Sequence, residues 1–174
     1  MMQMLSSGGI PLVTDGIREA DTNNLKGYYE YEAVKKLAKE KSWLYNAKGK
    51  VVKIVSHFLK LLPSDLNYDI IFMLRDLDET LSSQRKMMKR LGTSDDISNS
   101  KMKNIFNTHI DEVKEWLALC SNINVTYVNY IDCIYDSGSI CKQISDFLNM
   151  NLKIENMQSC VDSKLYRNRN GYNK

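Results

Sequence analysis

One unbroken apolar run and two amphipathic repeats dominate the hydrophobic pattern of this chain. Residues 69–74 contain IIFML, and such runs are typical of a parallel strand that is buried on both faces. Apolar residues then recur on one side of residues 76–91, and Gly92 predicts the end of that helix. The spacing predicts a longer amphipathic helix over residues 102–117, and a further strand over residues 125–130.

The beginning of the chain carries shorter signals. A helix is predicted over residues 1–7, with Gly8 and Gly9 as its stop, because glycine is favoured where a helix ends. Residues 10–13 are a candidate extended segment. The polar residues 14–27 are rich in turn formers and predict a functional loop, since long ordered loops usually carry a task.

Between and after these elements the pattern is weaker. Helical spacing predicts a helix over residues 29–41, and β-branched residues predict a strand over residues 50–55. Ser137 is a candidate cap for a closing helix, and residues 152–174 are predicted to be irregular. Because strands and helices alternate, we expect a single α/β domain over residues 1–174 with a mainly parallel sheet.

Composition narrows the class of protein without naming a function. The formal net charge is +3, from 24 basic and 21 acidic residues, which is too small to indicate a nucleic-acid partner. Neither a signal peptide nor a membrane-spanning run is present, so we expect no membrane partner. The four cysteines form no C-x-x-C pair and only two histidines accompany them, which argues against a metal site. Reduced thiols indicate a cytoplasmic protein.

The first candidate for chemistry is Arg75, directly after the apolar run. Ligands of parallel α/β sheets collect at the carboxyl ends of the strands, where a guanidinium beside a helix N-terminus can bind phosphate or sulfate. Ser83 on the following helix could donate a further hydrogen bond. The alternative is an ordinary ion pair of Arg75 with Asp76, Asp78 or Glu79.

A second group of candidates surrounds the strand predicted over residues 50–55. His57 follows that strand by two residues and could take a proton from a hydroxyl nucleophile. Lys53 lies within the predicted strand and could orient a phosphate. The alternative is that His57 is a partly buried loop residue and Lys53 an edge-strand charge. For His109, on the apolar side of its helix, we expect a satisfied boundary histidine.

Four stretches in order resemble the bacterial sulfotransferase-like family, which has a P-loop fold. They are LSSGGIPLVTDGIREAD with NLKGYYEYE (residues 5–32), KVVKIVSHFLKLLP (50–63), IIFMLRDLDETLSSQRKM (70–87) and VTYVNYIDCIYDSGSICKQISDFLN (125–149). The family spaces a serine eight residues after the strand-end arginine, and Arg75 and Ser83 have this spacing. One departure is Leu25, which stands where the family usually has proline.

The resemblance implies a three-layer P-loop-type fold and a sulfuryl donor, 3′-phosphoadenosine-5′-phosphosulfate. Arg75 and Ser83 would then hold the 3′-phosphate, with Arg169 of the family-like LYRNR stretch as a further donor-binding candidate. His57 would be the catalytic base and Lys53 a cation near the donor. The acceptor would be a small molecule with a hydroxyl or amine, and no metal would be required.

The family also opens with a strand and a glycine loop of the type G-x-P-R-S-G-T-S, and this sequence begins after that point. We therefore expect an N-terminally truncated domain without the first strand and phosphate loop, weak activity, and self-association through exposed strand edges. Two alternatives remain open from the sequence. They are a small-molecule or nucleotide kinase of P-loop fold, and a non-catalytic interaction module on the same scaffold.

Overall fold

The computed structural model describes residues 1–18, 20, 21, 24–90, 92, 97–163 and 166. Helices and strands are separated mostly by short connections along the chain. They are α1 (Met2–Gly8), β1 (Leu12–Val13), 3₁₀ helices at Glu32–Lys36 and Ser42–Ala47, β2 (Val51–Val52), a 3₁₀ helix at Ser56–Leu61, β3 (Tyr68–Leu74), α2 (Leu77–Arg90), α3 (Asn99–Leu119), β4 (Ile123–Asn129), α4 (Tyr130–Tyr135), α5 (Ser137–Phe147) and α6 (Ile154–Ser159).

The described strands pair in parallel, as the alternation of strands and helices predicts. β3 and β4 are in register along their whole length, from Tyr68 opposite Ile123 to Leu74 opposite Asn129. β1 pairs with β2 over two residues each. The α/β class with parallel strands is therefore confirmed.

Helices cover both faces of the β3–β4 pair. Phe72 of β3 packs with Val113 and Leu117 of α3. On the other face, Val128 of β4 packs with residues of α1, α5 and α6, among them Ile144 and Met157. Successive side chains of a strand point to opposite faces, so an apolar run such as IIFML supplies both clusters at once.

A third apolar cluster lies under the 3₁₀ helices and contains Val34, Leu37, Leu44 and Leu66. The helix predicted over residues 29–41 is wrong here, since only Glu32–Lys36 forms a single 3₁₀ segment. Backbone geometry explains part of the difference, because Tyr29 has a positive φ of 53° and Leu37 is already fully buried after one turn. Helical spacing of a few apolar residues thus fits one turn as well as three.

The structure corrects three of the local predictions: the length of a strand, the cap of a helix and an irregular segment. The strand expected over residues 50–55 is confined to Val51–Val52, because its partner β1 also has only two residues. Asp136 rather than Ser137 caps α5, its carboxylate accepting from the Ser139 amide at 3.4 Å. The stretch expected to be irregular from residue 152 contains α6. By contrast, the stop after α1 is confirmed, with Gly9 left-handed at φ 109°.

The longest described helix, Asn99–Leu119, is amphipathic. Val113 and Leu117 are buried against β3, while Leu119 is 85% exposed. None of the helices in the described ranges combines the length and the apolar character needed to cross a bilayer.

Candidate functional site

The ends of β3 and β4 bring a cation and an aromatic ring together. Leu74 and Asn129 are the last register partners of the two strands, and Arg75 and Tyr130 follow them. Because the strands are parallel, these next residues emerge at the same edge of the pair. The guanidinium carbon of Arg75 lies 4.7 Å from the centroid of the Tyr130 ring, a cation–π contact.

A buried carboxylate also contacts the guanidinium. Glu79, on the first turn of α2, is 4% exposed, and its Oε2 lies 3.6 Å from Arg75 Nε. The ion pair weighed as an alternative for Arg75 is therefore present. Tyr166, itself 5% exposed, donates its hydroxyl hydrogen to Glu79 Oε1. Its ring meets Tyr130 edge-on, with 5.7 Å between centroids.

The two phenols of this cluster remain neutral at ordinary pH. The hydrogen bond to Glu79, together with burial, raises the pKa of Tyr166 to about 12. Burial also raises the pKa of Tyr130, although the neighbouring Arg75 opposes that shift. Arg75 and Glu79 form the ion pair of this cluster.

Part of the Arg75 side chain stays available to a ligand. The ion pair with Glu79 uses Nε, and within the described residues Nη1 and Nη2 make no hydrogen bond or ion pair. The side chain is 35% exposed. A guanidinium held from behind with both terminal nitrogens open can bind two oxygens of one phosphate or sulfate.

The helix N-terminus beside Arg75 is less open than the sequence suggests. Asp76 Oδ1 accepts the Glu79 amide at 2.9 Å, so one of the free amides expected to help bind an anion is already capped. Ser83 lies further along α2, half-buried, and forms no hydrogen bond within the described part of the chain. The structure brings Ser83 and Arg75 onto neighbouring elements without a direct contact between them.

Lys53 belongs to a different network. It is the first residue after β2 rather than a residue within the strand. Its Nζ donates to the Tyr28 carbonyl at 3.0 Å and lies 3.5 Å from Glu30 Oε1. Arg18 contacts the same carboxylate, with Nη1 3.2 Å from Glu30 Oε1. Its guanidinium carbon also lies 3.4 Å from the centroid of the Tyr28 ring. Lys53 therefore helps to hold the polar loop before it.

His57 also lies farther from its strand than predicted. It is the second residue of the Ser56–Leu61 3₁₀ helix and is exposed. Its ring centroid lies 6.2 Å from that of His109, whose Nε2 is 2.9 Å from Ser56 Oγ. His109 is half-buried and hydrogen-bonded, as a boundary histidine should be.

The predicted candidates thus fall into separate places. Among the described residues, no contact joins Arg75 to Lys53 or His57, and Arg169 lies outside the described residues. Sequence reasoning missed Tyr130 and gave Tyr166 no role beside Arg75. Tyr130 could have been found, because it ends the strand predicted over residues 125–130, and Arg75 directly follows the strand of the apolar run. Tyr166 had no comparable signal.

A shallow depression of about 260 Å³ occurs elsewhere on the surface. Its lining contains none of the predicted site residues; it consists of Gln3, Ser6, Ser7, Lys26, Tyr29 and Cys160. Lys26 Nζ donates to the Cys160 carbonyl at 2.7 Å, and Ser7 Oγ lies 2.8 Å from Cys160 Sγ. These polar groups already satisfy one another, so the depression is a less suitable anion site than Arg75.

Comparison of the chain with protein-family models, with curated proteins and with solved structures gave no match. Across the described ranges, no three His, Cys, Asp or Glu side chains gather where they could hold a metal ion. The cluster at Arg75 and the sequence resemblance are therefore the two features that bear on function.

Proposed function

We propose that this chain is a sulfotransferase-like protein of P-loop type that binds 3′-phosphoadenosine-5′-phosphosulfate. Arg75 binds the 3′-phosphate of the donor, with the Ser83 hydroxyl as a second donor of hydrogen bonds. The observation that carries the proposal is the orientation of Arg75. It stands at the carboxyl end of a parallel strand, in contact with Tyr130 and Glu79, and neither terminal nitrogen has a hydrogen-bond partner among the described residues.

The chemistry of the proposal is transfer of a sulfuryl group to a small-molecule hydroxyl or amine. The acceptor atom forms a bond to sulfur while the bond between sulfur and the bridging oxygen breaks, which releases adenosine 3′,5′-bisphosphate. His57 takes the acceptor proton, and its exposed ring is accessible for that role. Lys53 compensates the charge that develops on the bridging oxygen. Its ion pair with Glu30 is half-exposed and long, at 3.5 Å, and so can exchange for an anion.

The test is thermal-shift binding of adenosine 3′,5′-bisphosphate without Mg²⁺. A ligand that binds only the native state raises the melting temperature. We expect a shift for the parent chain and its loss in Arg75→Ala. Arg85→Ala is the matched control, because Arg85 lies on α2 and, among the described residues, its guanidinium donates to the Ile97 carbonyl at 2.9 Å.

Two further ligands define the specificity. Adenosine 5′-monophosphate lacks the 3′-phosphate and should produce little shift. A shift that appears only with Mg²⁺ would instead favour a kinase, because kinases bind nucleotide phosphates through the metal. No shift in a well-folded parent, or an equal shift in Arg75→Ala, would overturn the proposal.

A further inference from the structure

The buried side of the Arg75 cluster has an organisation of its own. Glu79 receives the hydroxyl hydrogen of Tyr166 through one oxygen and faces Arg75 Nε with the other. Burying a carboxylate is costly unless it is both paired and hydrogen-bonded. The Arg75 guanidinium and the Tyr166 hydroxyl therefore both contribute to holding the Glu79 side chain in place.

Tyr166 contacts two residues that in turn contact the Arg75 guanidinium. Its hydroxyl binds Glu79, and its ring packs edge-on against Tyr130, over which Arg75 lies. Tyr166 is separated from Glu79 by 87 positions, so these contacts form only when Tyr166 docks onto α2. A planar guanidinium binds an anion through two parallel hydrogen bonds only if its plane is oriented correctly.

We propose that Glu79 and Tyr166 are positioning residues for the anion site at Arg75, so that docking of Tyr166 sets the orientation of the guanidinium and hence the affinity of the site. The identity of the anion rests on the proposed function. The positioning of Arg75 does not, because it concerns contacts that exist without a ligand.

A competing explanation is that Glu79 only neutralises Arg75. The two explanations differ for Tyr166→Phe, which removes the hydroxyl, keeps the ring and leaves every charge in place. Neutralisation predicts no change in anion binding for this variant. Positioning predicts a loss, because Glu79 then has one fewer hydrogen bond holding it under Arg75.

The first measurement is made without ligand. The Nε–Hε signal of Arg75 is recorded by ¹⁵N NMR and assigned through its absence in Arg75→Lys. We expect a resolved signal in the parent, and a shifted, faster-exchanging signal in both Tyr166→Phe and Glu79→Gln. An unchanged signal in Tyr166→Phe would overturn the proposal. Thermal melting of each variant establishes that it is folded before the signals are compared.

The second measurement is calorimetric titration with adenosine 3′,5′-bisphosphate. We expect Tyr166→Phe to weaken binding about tenfold, the scale of a hydrogen bond to a charged group. Tyr135→Phe is the control and should bind as the parent does, since Tyr135 is 62% exposed. Equal affinity of parent and Tyr166→Phe would overturn the positioning role. If the parent itself does not bind, the proposed function fails, and the ligand-free signal still decides the positioning of Arg75.

Discussion

Arg75 and Lys53 both follow directly after a parallel strand, yet their surroundings differ. The strand before Arg75 has seven residues paired in register with β4, and helices cover both of its faces. The strand before Lys53 has two residues and pairs with an equally short partner. Arg75 accordingly meets the buried Glu79 and the ring of Tyr130, whereas Lys53 meets a carbonyl and a half-exposed carboxylate.

The difference shows how strand length determines the precision of a strand-end site. Each paired residue adds hydrogen bonds and packed side chains, so the end of a long strand has little freedom. A two-residue strand followed by a 3₁₀ helix constrains the next side chain far less. We therefore expect Arg75 to be oriented in advance for an anion, and Lys53 to adapt to one.

The largest effect on stability is expected in the cores of the two regions. Leu117 is 1% exposed under β3, and Leu37 is 0% exposed under the 3₁₀ helices. We expect Leu117→Ala to lower the free energy of unfolding by about 3 kcal/mol. Leu37→Ala should lower the free energy of unfolding by less, about 2 kcal/mol, because neighbouring side chains on single-turn helices can move into the cavity. Urea unfolding of both variants measures the two losses.

Leu119→Ala serves as the control for that pair of variants. This side chain is 85% exposed, so its loss should change the unfolding free energy by less than about 0.5 kcal/mol. A greater loss for Leu37→Ala than for Leu117→Ala would reverse the ranking of the two regions.

The next test uses the alkaline stability of the Arg75 region. Folded Tyr166 keeps its proton up to a pKa of about 12, against 10.0 for the free side chain. Because the pKa of Tyr166 is higher in the folded than in the unfolded protein, its phenol stabilises the fold fully at a pH below about 10. That contribution is lost as the pH rises from about 10 to about 12. Between about pH 9 and pH 11 the parent should lose about 1 kcal/mol more than Tyr166→Phe.

Urea unfolding at the two pH values measures this difference. Tyr68 also has a pKa raised to about 12, mainly by burial, but it is present in both proteins and cancels. Equal losses in the parent and in Tyr166→Phe would show that Tyr166 is not held by Glu79 in solution.

A smaller effect is expected at the end of α1, which packs on the β4 side of the core. Gly9 has φ 109°, and a methyl group there would meet nothing within 4 Å. Gly9→Ala should therefore cost about 1 kcal/mol through backbone strain alone. Thermal unfolding checks this value, with Ser6→Ala as an exposed control. A neutral Gly9→Ala would mean that α1 can end in another conformation.

The smallest effect is expected at Lys53. Its contacts with Glu30 and the Tyr28 carbonyl are only half-buried, and ion pairs that remain open to solvent contribute little. Lys53→Ala should change the unfolding free energy by less than about 0.5 kcal/mol, as should Lys35→Ala, which breaks the exposed pair with Glu32. If Lys53→Ala lowers the free energy of unfolding much more than Lys35→Ala does, the loop before β2 is firmly held. The contrast between the Arg75 and Lys53 regions would then be wrong.

The sequence predicted the β3–α2–α3–β4 core closely because each element there carries a strong period of its own. The apolar run, the two amphipathic repeats and Gly92 are local signals that agree with the tertiary packing. In residues 29–61 the apolar residues keep a helical spacing only over short stretches, and such a pattern does not distinguish a single turn from a helix. There the chain follows tertiary contacts, such as the burial of Leu37, rather than its local pattern.

The candidate site divides in the same way. The position of Arg75 at a strand end, and its possible pairing with Glu79 one turn later, follow from local order along the chain, and the sequence alone determined them. That Tyr130 lies under Arg75, and that Tyr166 docks on Glu79, was decided only by the tertiary structure. The physical reason is that these contacts join residues far apart in sequence, through a strand register and a docked side chain that no local period encodes.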